Sequence, residues 1–296
     1  MSVTWYSDEP APDIPRRAGD LPRVIMRGGL LGLVILAGVL ATLPLRAIER
    51  PFHGRHRPWS PAVTQWVCRS VFTILGMRHR IQGTPISGPG AVVSNHVSWL
   101  DIFALNARKR IYFVAKSEVA RWPGIGALAR LAGTVFIRRD PREAKAQTEI
   151  FSERLAAGHR LLFFPEGSST DGMQVLPFKT SLFEAFCKLQ MTRPMQVQPV
   201  TVLYHAPEGQ DPRFYGWWGD MTFGAHLRQV LAAPRHGGVT VVYHAPLNVA
   251  EFTDRKALAS AARAQVLSGM PADHQHNRHV GSVRAAEPSS LYAGCI

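Results

Sequence analysis

An eighteen-residue run without a charge, GGLLGLVILAGVLATLPL at residues 28–45, constrains this chain more than any other feature. A stretch this apolar has to be withdrawn from water, either inside a protein core or in lipid. Its length lies at the lower edge of what crosses a bilayer, for which about 20 apolar residues are typical. Arg16, Arg17, Arg23 and Arg27 precede the run, and Arg46, Arg50, Arg55 and Arg57 follow it. Basic flanks on both sides argue against a simple span, because positively charged ends tend to stay cytoplasmic. A second segment, residues 59–77, is apolar and aromatic, with Arg69 as its one charge. The two segments are expected to pair as a helical hairpin that re-enters or lies in the interface; a tilted single span and a pair of buried core helices are the alternatives. A signal peptide fits less well, since the run starts late and no small-x-small cleavage pattern follows.

From residue 81 the pattern changes to strands alternating with amphipathic helices, the signature of an α/β domain. Strands are expected at residues 91–94, 111–115, 134–137, 161–164, 196–204 and 239–244. Helices are expected at residues 98–107, 125–132, 142–157, 179–189 and 254–268. The chain therefore divides into a flexible start and membrane-associating helices (1–80), an α/β domain (81–268) and a polar, His-rich tail expected to be disordered (269–296). Within the first part, residues 1–24 are rich in Pro, Asp and Arg and carry no apolar period.

A formal charge of +13, from 34 Lys and Arg against 21 Asp and Glu, calls for an anionic partner. The bases are scattered arginines with no zinc-finger, RNA-binding or basic-zipper spacing, so a membrane surface is favoured and no nucleic acid is expected. Cys68, Cys187 and Cys295 are odd in number and far apart, which suits a reducing compartment. The histidines at 274, 276 and 279 and at 53 and 56 read as solvated side chains, and no metal site is expected.

Two motifs carry chemistry. Asn95-His96-Val97-Ser98-Trp99-Leu100-Asp101 sets an imidazole and a carboxylate five positions apart at the end of an apolar strand. On a regular helix such residues point about 140° apart, so pairing requires His96 to sit before the helix. The carboxylate then holds one ring nitrogen protonated and leaves the other as a base. Downstream, Phe163-Phe164-Pro165-Glu166-Gly167-Ser168-Ser169-Thr170 ends a second apolar strand in a turn carrying an acid.

Asn-His-x4-Asp followed by Phe-Pro-Glu-Gly resembles the glycerolipid acyltransferase family, which includes the lysophosphatidic acid acyltransferases. Gly133-Thr134-Val135-Phe136-Ile137-Arg138-Arg139 and Val197-Gln198-Pro199-Val200 fall in the family's order, and the resemblance covers roughly residues 83–246. It implies a mixed central sheet flanked by helices, at the cytoplasmic face of the inner or plasma membrane. It also implies acyl transfer from an acyl carrier protein or coenzyme A thioester to a lysolipid hydroxyl, with no bound cofactor. His96 would be the base and Asp101 its orienting partner. Glu166, Gly167, Ser168 and Ser169 match the acceptor-binding motif. Arg139 and Lys116 would meet an anionic headgroup or the donor's phosphopantetheine, and Asn95 would support the loop or the oxyanion. Two readings of other classes remain: a non-catalytic membrane-binding protein, against which the His96–Asp101 pair argues, and a lipid hydrolase, against which the missing Gly-x-Ser-x-Gly elbow argues.

One departure from the lysophosphatidic acid acyltransferases matters. Those enzymes carry Phe-Pro-Glu-Gly-Thr-Arg, whose arginine makes charge-assisted bonds to the acceptor phosphate. Here Ser169 stands at that position, Asp171 follows two residues later, and Ser181 replaces a frequent glycine. This combination is similar to the branch that acylates lyso-aminolipids such as lyso-ornithine lipid, with phosphatidic acid synthesis as the alternative.

Overall fold

Short β-branched and aliphatic runs form the middle of an eight-stranded mixed sheet in the computed structural model, which describes residues 3–12, 17, 19–138, 141–192, 194–275 and 282–285. The strands are β1 (Val3–Tyr6), β2 (Arg78–Gln82), β3 (Gly90–Ser94), β4 (Tyr112–Lys116), β5 (Val135–Ile137), β6 (Arg160–Phe163), β7 (Gln196–His205), β8 (Gly238–Tyr243), β9 (Leu247–Asn248) and β10 (Ser282–Ala285). The main helices are α1 (Asp20–His53), α2 (Ser60–Leu75), α3 (Asp101–Asn106), α4 (Ile125–Ala132), α5 (Ala144–Ala156), α6 (Ser181–Gln190), α7 (Phe223–Ala232) and α8 (Arg255–Ser268).

The sheet order is β2-β8-β7-β3-β6-β4-β5, with β9 also on β7. Strands β7, β3, β6, β4 and β5 run parallel; β8 is antiparallel to β7, and β2 runs with β8. Parallel strands need cover on both faces, and alternation of side chains supplies two cores. Val92, Leu162 and Phe113 pack with Phe72 of α2, Leu105 of α3 and Val230 of α7. Ala91, Val93, Leu161 and Phe163 face the other way, onto Phe151 of α5, Phe186 of α6 and Leu258 of α8. The α/β reading of the sequence is thus the architecture observed. Strand β2 escaped it because Arg78-His79-Arg80 place charges on an edge strand, where solvent tolerates them. Helix α7 was missed as well. Helix α3 begins three residues later than expected because residues 95–98 are irregular and residues 99–100 form a turn.

Helices α1 and α2 form the hairpin, with α1 far longer than its uncharged run. Gly38 permits their close approach: a Cβ there would meet Val67 Cγ2 at 2.5 Å. At the turn, the fully buried Glu49 carboxylate accepts from Trp59 N, Ser60 N and Ser60 Oγ, each at 2.7 Å, and pairs with Arg46 at 2.9 Å. An acid on α1 thereby caps α2, whose own N-cap residue, Trp59, offers no side-chain acceptor. The α1–α2 connector is tied to the domain by Arg57, which donates to the Leu131 carbonyl at 2.8 Å, and by His56 Nδ1, 3.2 Å from the Ala157 carbonyl. The other end of α1 is tied as well: Arg23 and Arg27 donate to the carbonyls of Leu231, Ala232 and Ala233 at 2.6–2.9 Å. Between these ties Leu33, Leu36, Leu40 and Leu43 are each more than half exposed.

Composition predicts flexible ends, yet β1 pairs antiparallel with β10. Trp5 supplies the reason: it is 1% exposed and packs with Leu176 and Trp218, an apolar anchor within an otherwise polar stretch. Among the described cysteines, Cys68 and Cys187 are free thiols. Cys295, His276, His279 and Arg139 lie outside the described residues.

Candidate active site

The site forms where the chain leaves the C-terminal ends of β3 and β6, the edge at which parallel α/β sheets bind ligands. Just after β3, Asn95 makes a two-point clamp on β7: its Nδ2 donates to Val202 O at 2.9 Å and its Oδ1 accepts from Val202 N at 2.8 Å. His96 follows, 0% exposed, with Nδ1 at 2.7 Å from Asp101 Oδ2. The same carboxylate oxygen accepts from Val97 N at 2.8 Å and Ser98 N at 3.1 Å, which fixes the loop between the two residues. These bonds account for the late start of α3.

Asp101 Oδ1 accepts from the Tyr204 hydroxyl at 2.7 Å. Burial, followed by the Asp101 charge, raises the Tyr204 phenol well above its ordinary range and keeps it a donor. Tyr204 belongs to β7, 103 residues from Asp101 in sequence, and nothing in its own neighbourhood marks it out. The Phe164 ring stacks on the His96 imidazole at 4.0 Å between centroids. His96 Nε2 is buried and has no hydrogen-bond partner among the described residues. An imidazole with one nitrogen held by a carboxylate and the other free is arranged to take a proton.

The second motif meets the first through Glu166. Its Oε1 accepts from His96 N at 2.6 Å and its Oε2 from Leu176 N at 2.7 Å. Burial pushes the carboxyl up to about 8, against these two N–H donors, which favour the charged form. Gly167, at φ 77°, makes the turn that aims Glu166 inwards. Thr170 N donates to the His96 carbonyl at 2.9 Å, a second stitch between the motifs.

The remaining predicted residues divide. Ser168 Oγ accepts from Trp5 N at 3.0 Å, and the fully buried Ser169 donates to the Trp217 carbonyl. Both hydroxyls therefore engage backbone. Lys116 ends β4 and is 9% exposed. In the intermediate block, Arg138 is exposed and pairs with Glu143 at 3.1 Å. Ser98 Oγ is buried without a hydrogen-bond partner among the described residues, so Ser98 and His96 do not form a hydrogen-bonded nucleophile–base pair. Among the described residues no cluster of His, Cys, Asp or Glu could hold a metal ion.

An acyltransferase family model matches residues 77–203, a span that contains both motifs. The chain is 58% identical over 266 residues to the lyso-ornithine lipid O-acyltransferase of Rhodobacter capsulatus, covering 90% of this chain and 96% of that protein. The enzyme of the same name from Brucella abortus is 36% identical over 79% of this chain and 91% of its own. The fold is shared with the crystal structure of the 1-acyl-sn-glycerophosphate acyltransferase of Thermotoga maritima, at a TM-score of 0.56 and 21% identity, over 83% of this chain and 95% of that one. The extent of these matches and the two joined motifs make this chain a member of the acyltransferase family.

Proposed function

We propose that this protein transfers a fatty acyl group from an acyl thioester to the free hydroxyl of a lyso-aminolipid such as lyso-ornithine lipid. The free, buried Nε2 of a carboxylate-held His96 is the observation that carries the chemistry. The acceptor hydroxyl gives its proton to Nε2 while its oxygen attacks the thioester carbonyl. The tetrahedral oxyanion then collapses, and the departing thiolate takes the proton back from the imidazolium, which Asp101 has stabilised. No enzyme nucleophile enters, so acceptor and donor bind together and no acyl-enzyme forms. Asn95 and Glu166 hold the His96 loop from two sides. The donor is an acyl carrier protein or coenzyme A thioester, both polyanionic, and the basic surface suits either.

The acceptor assignment is supported by the names of the near full-length relatives and by Ser169 standing where a phosphate-binding arginine is expected. Attachment is to the cytoplasmic face of the membrane, with the hairpin lying in the interface. Helix α1, about 51 Å long at 1.5 Å per residue, is bonded to the domain at both ends, which favours lying along the surface over crossing an apolar layer about 30 Å thick.

Purified enzyme given equal amounts of lyso-ornithine lipid and lysophosphatidic acid, with each donor in turn, tests the acceptor. The expected result is preferential acylation of lyso-ornithine lipid. Preference for lysophosphatidic acid would overturn the aminolipid reading and leave the acyl-transfer chemistry standing.

A further inference from the structure

A cavity of about 330 Å³ opens beside Asp101, with Val97, Asp171, Tyr204, Gln210, Tyr215 and His274 in its wall. It adjoins the reaction centre: the Tyr204 hydroxyl in its wall holds Asp101, and Thr170, next to Asp171, is bonded to the His96 carbonyl. Gly172 lets this turn close against the motif, since a Cβ there would meet Val97 Cγ1 at 2.8 Å. In a chain with 34 Lys and Arg, the cavity wall contains neither.

Asp171 is 7% exposed. Its Oδ1 accepts from Met173 N at 3.0 Å. Arg213, whose charge is felt at Asp171, is already held by Asp211 at 2.9 Å and Glu9 at 3.0 Å. Burial pushes the Asp171 carboxyl up to about 6, against the hydrogen bond from Met173 N and the charge of Arg213. At Asp171 a phosphate monoester would meet a carboxylate, whereas an ammonium would meet its complement.

We infer that this cavity receives the ammonium of the acceptor headgroup, with Asp171 as its counter-ion. The inference rests on the aminolipid reading of the same site. Asp171 also makes a local turn through Met173, and Asn can make that turn too, so Asp171→Asn removes the charge and keeps the fold.

In steady-state assays Asp171→Asn should raise the KM for lyso-ornithine lipid at least about tenfold. It should also lower the ratio of kcat/KM for lyso-ornithine lipid to that for lysophosphatidic acid by a similar factor. A second measurement needs no variant protein: acetylating the acceptor's amine should weaken its use by wild-type enzyme comparably. That loss should largely disappear in Asp171→Asn, because the two changes remove one interaction. Unchanged KM in a folded Asp171→Asn, equal use of the acetylated acceptor, or a parallel loss for both acceptors would each overturn the ammonium site. Those results would leave the aminolipid assignment in place if wild-type enzyme still preferred lyso-ornithine lipid; a wild-type preference for lysophosphatidic acid would remove the assignment itself.

Discussion

At the ends of β3 and β6 the buried groups are ionisable: His96 and Asp101 are 0% exposed and Glu166 is 2% exposed. Along α1 the exposed groups are leucines, Leu33 at 64% and Leu40 at 61%. Each region reverses the usual distribution of polar and apolar residues, and each reversal points to something outside the chain. Hydrogen bonds from Val97, Ser98, Tyr204, His96 and Leu176 satisfy the buried carboxyl groups of Asp101 and Glu166, and the ring nitrogen left without a partner among the described residues is the one the proposed reaction uses. The outward leucines have no such internal answer among the described residues, and lipid is the environment proposed for them.

Glu166→Gln presses hardest on the core side of this contrast. A glutamine amide has one acceptor oxygen, so it cannot take both the His96 and the Leu176 N–H, and one buried donor is left unpaired. Loss of kcat by about 10²-fold or more is expected, with a lowered Tm, because a misplaced base loses its alignment. A rise in KM alone, at unchanged kcat and Tm, would return Glu166 to acceptor binding.

On the hairpin side, Leu36→Asp with Leu40→Asp should release most of the protein from membranes while the domain stays folded. Each buried leucine contributes about 1.5–3 kcal/mol to such an apolar contact. Membrane recovery after flotation, read beside activity on detergent-dispersed acceptor, checks this; full recovery would mean that α1 does not make the contact. Reporters fused before α1 and after Arg80 should both be cytoplasmic, since a spanning helix would separate them.

A smaller effect is expected from Tyr204→Phe. Without the phenol, the Asp101 carboxylate is a stronger acceptor for the His96 N–H and favours the imidazolium. The acid limb of kcat/KM should move to higher pH, with a loss of kcat of a few fold, about 1 kcal/mol in barrier terms. An unmoved limb would leave Tyr204 a packing residue.

Much of the reaction centre was legible because its signals are local. The five-residue spacing of His96 and Asp101 was enough to demand a non-helical loop between them, and the loop is there. Tyr204 was not legible, because strand pairing alone carries β7 to Asp101. The motif containing Glu166 was readable, but its contact with the His96 amide was not, because that proximity belongs to the packing of β3 beside β6. The length of α1 was hidden by its charges, which look like flanks until Arg23 and Arg27 are seen on α7 and Glu49 on α2.

The most direct measurement of the central claim is a single-turnover assay of His96→Ala, with labelled acyl donor, lyso-ornithine lipid acceptor and purified, membrane-reconstituted protein. Removal of a general base costs about 10²–10⁴-fold, more where alignment is lost. The account predicts that acylated lipid fails to form above that residual rate, that no label attaches to either protein, and that folding and membrane binding are kept. Turnover close to wild type in His96→Ala, or a labelled acyl-enzyme in the wild-type protein, would contradict it.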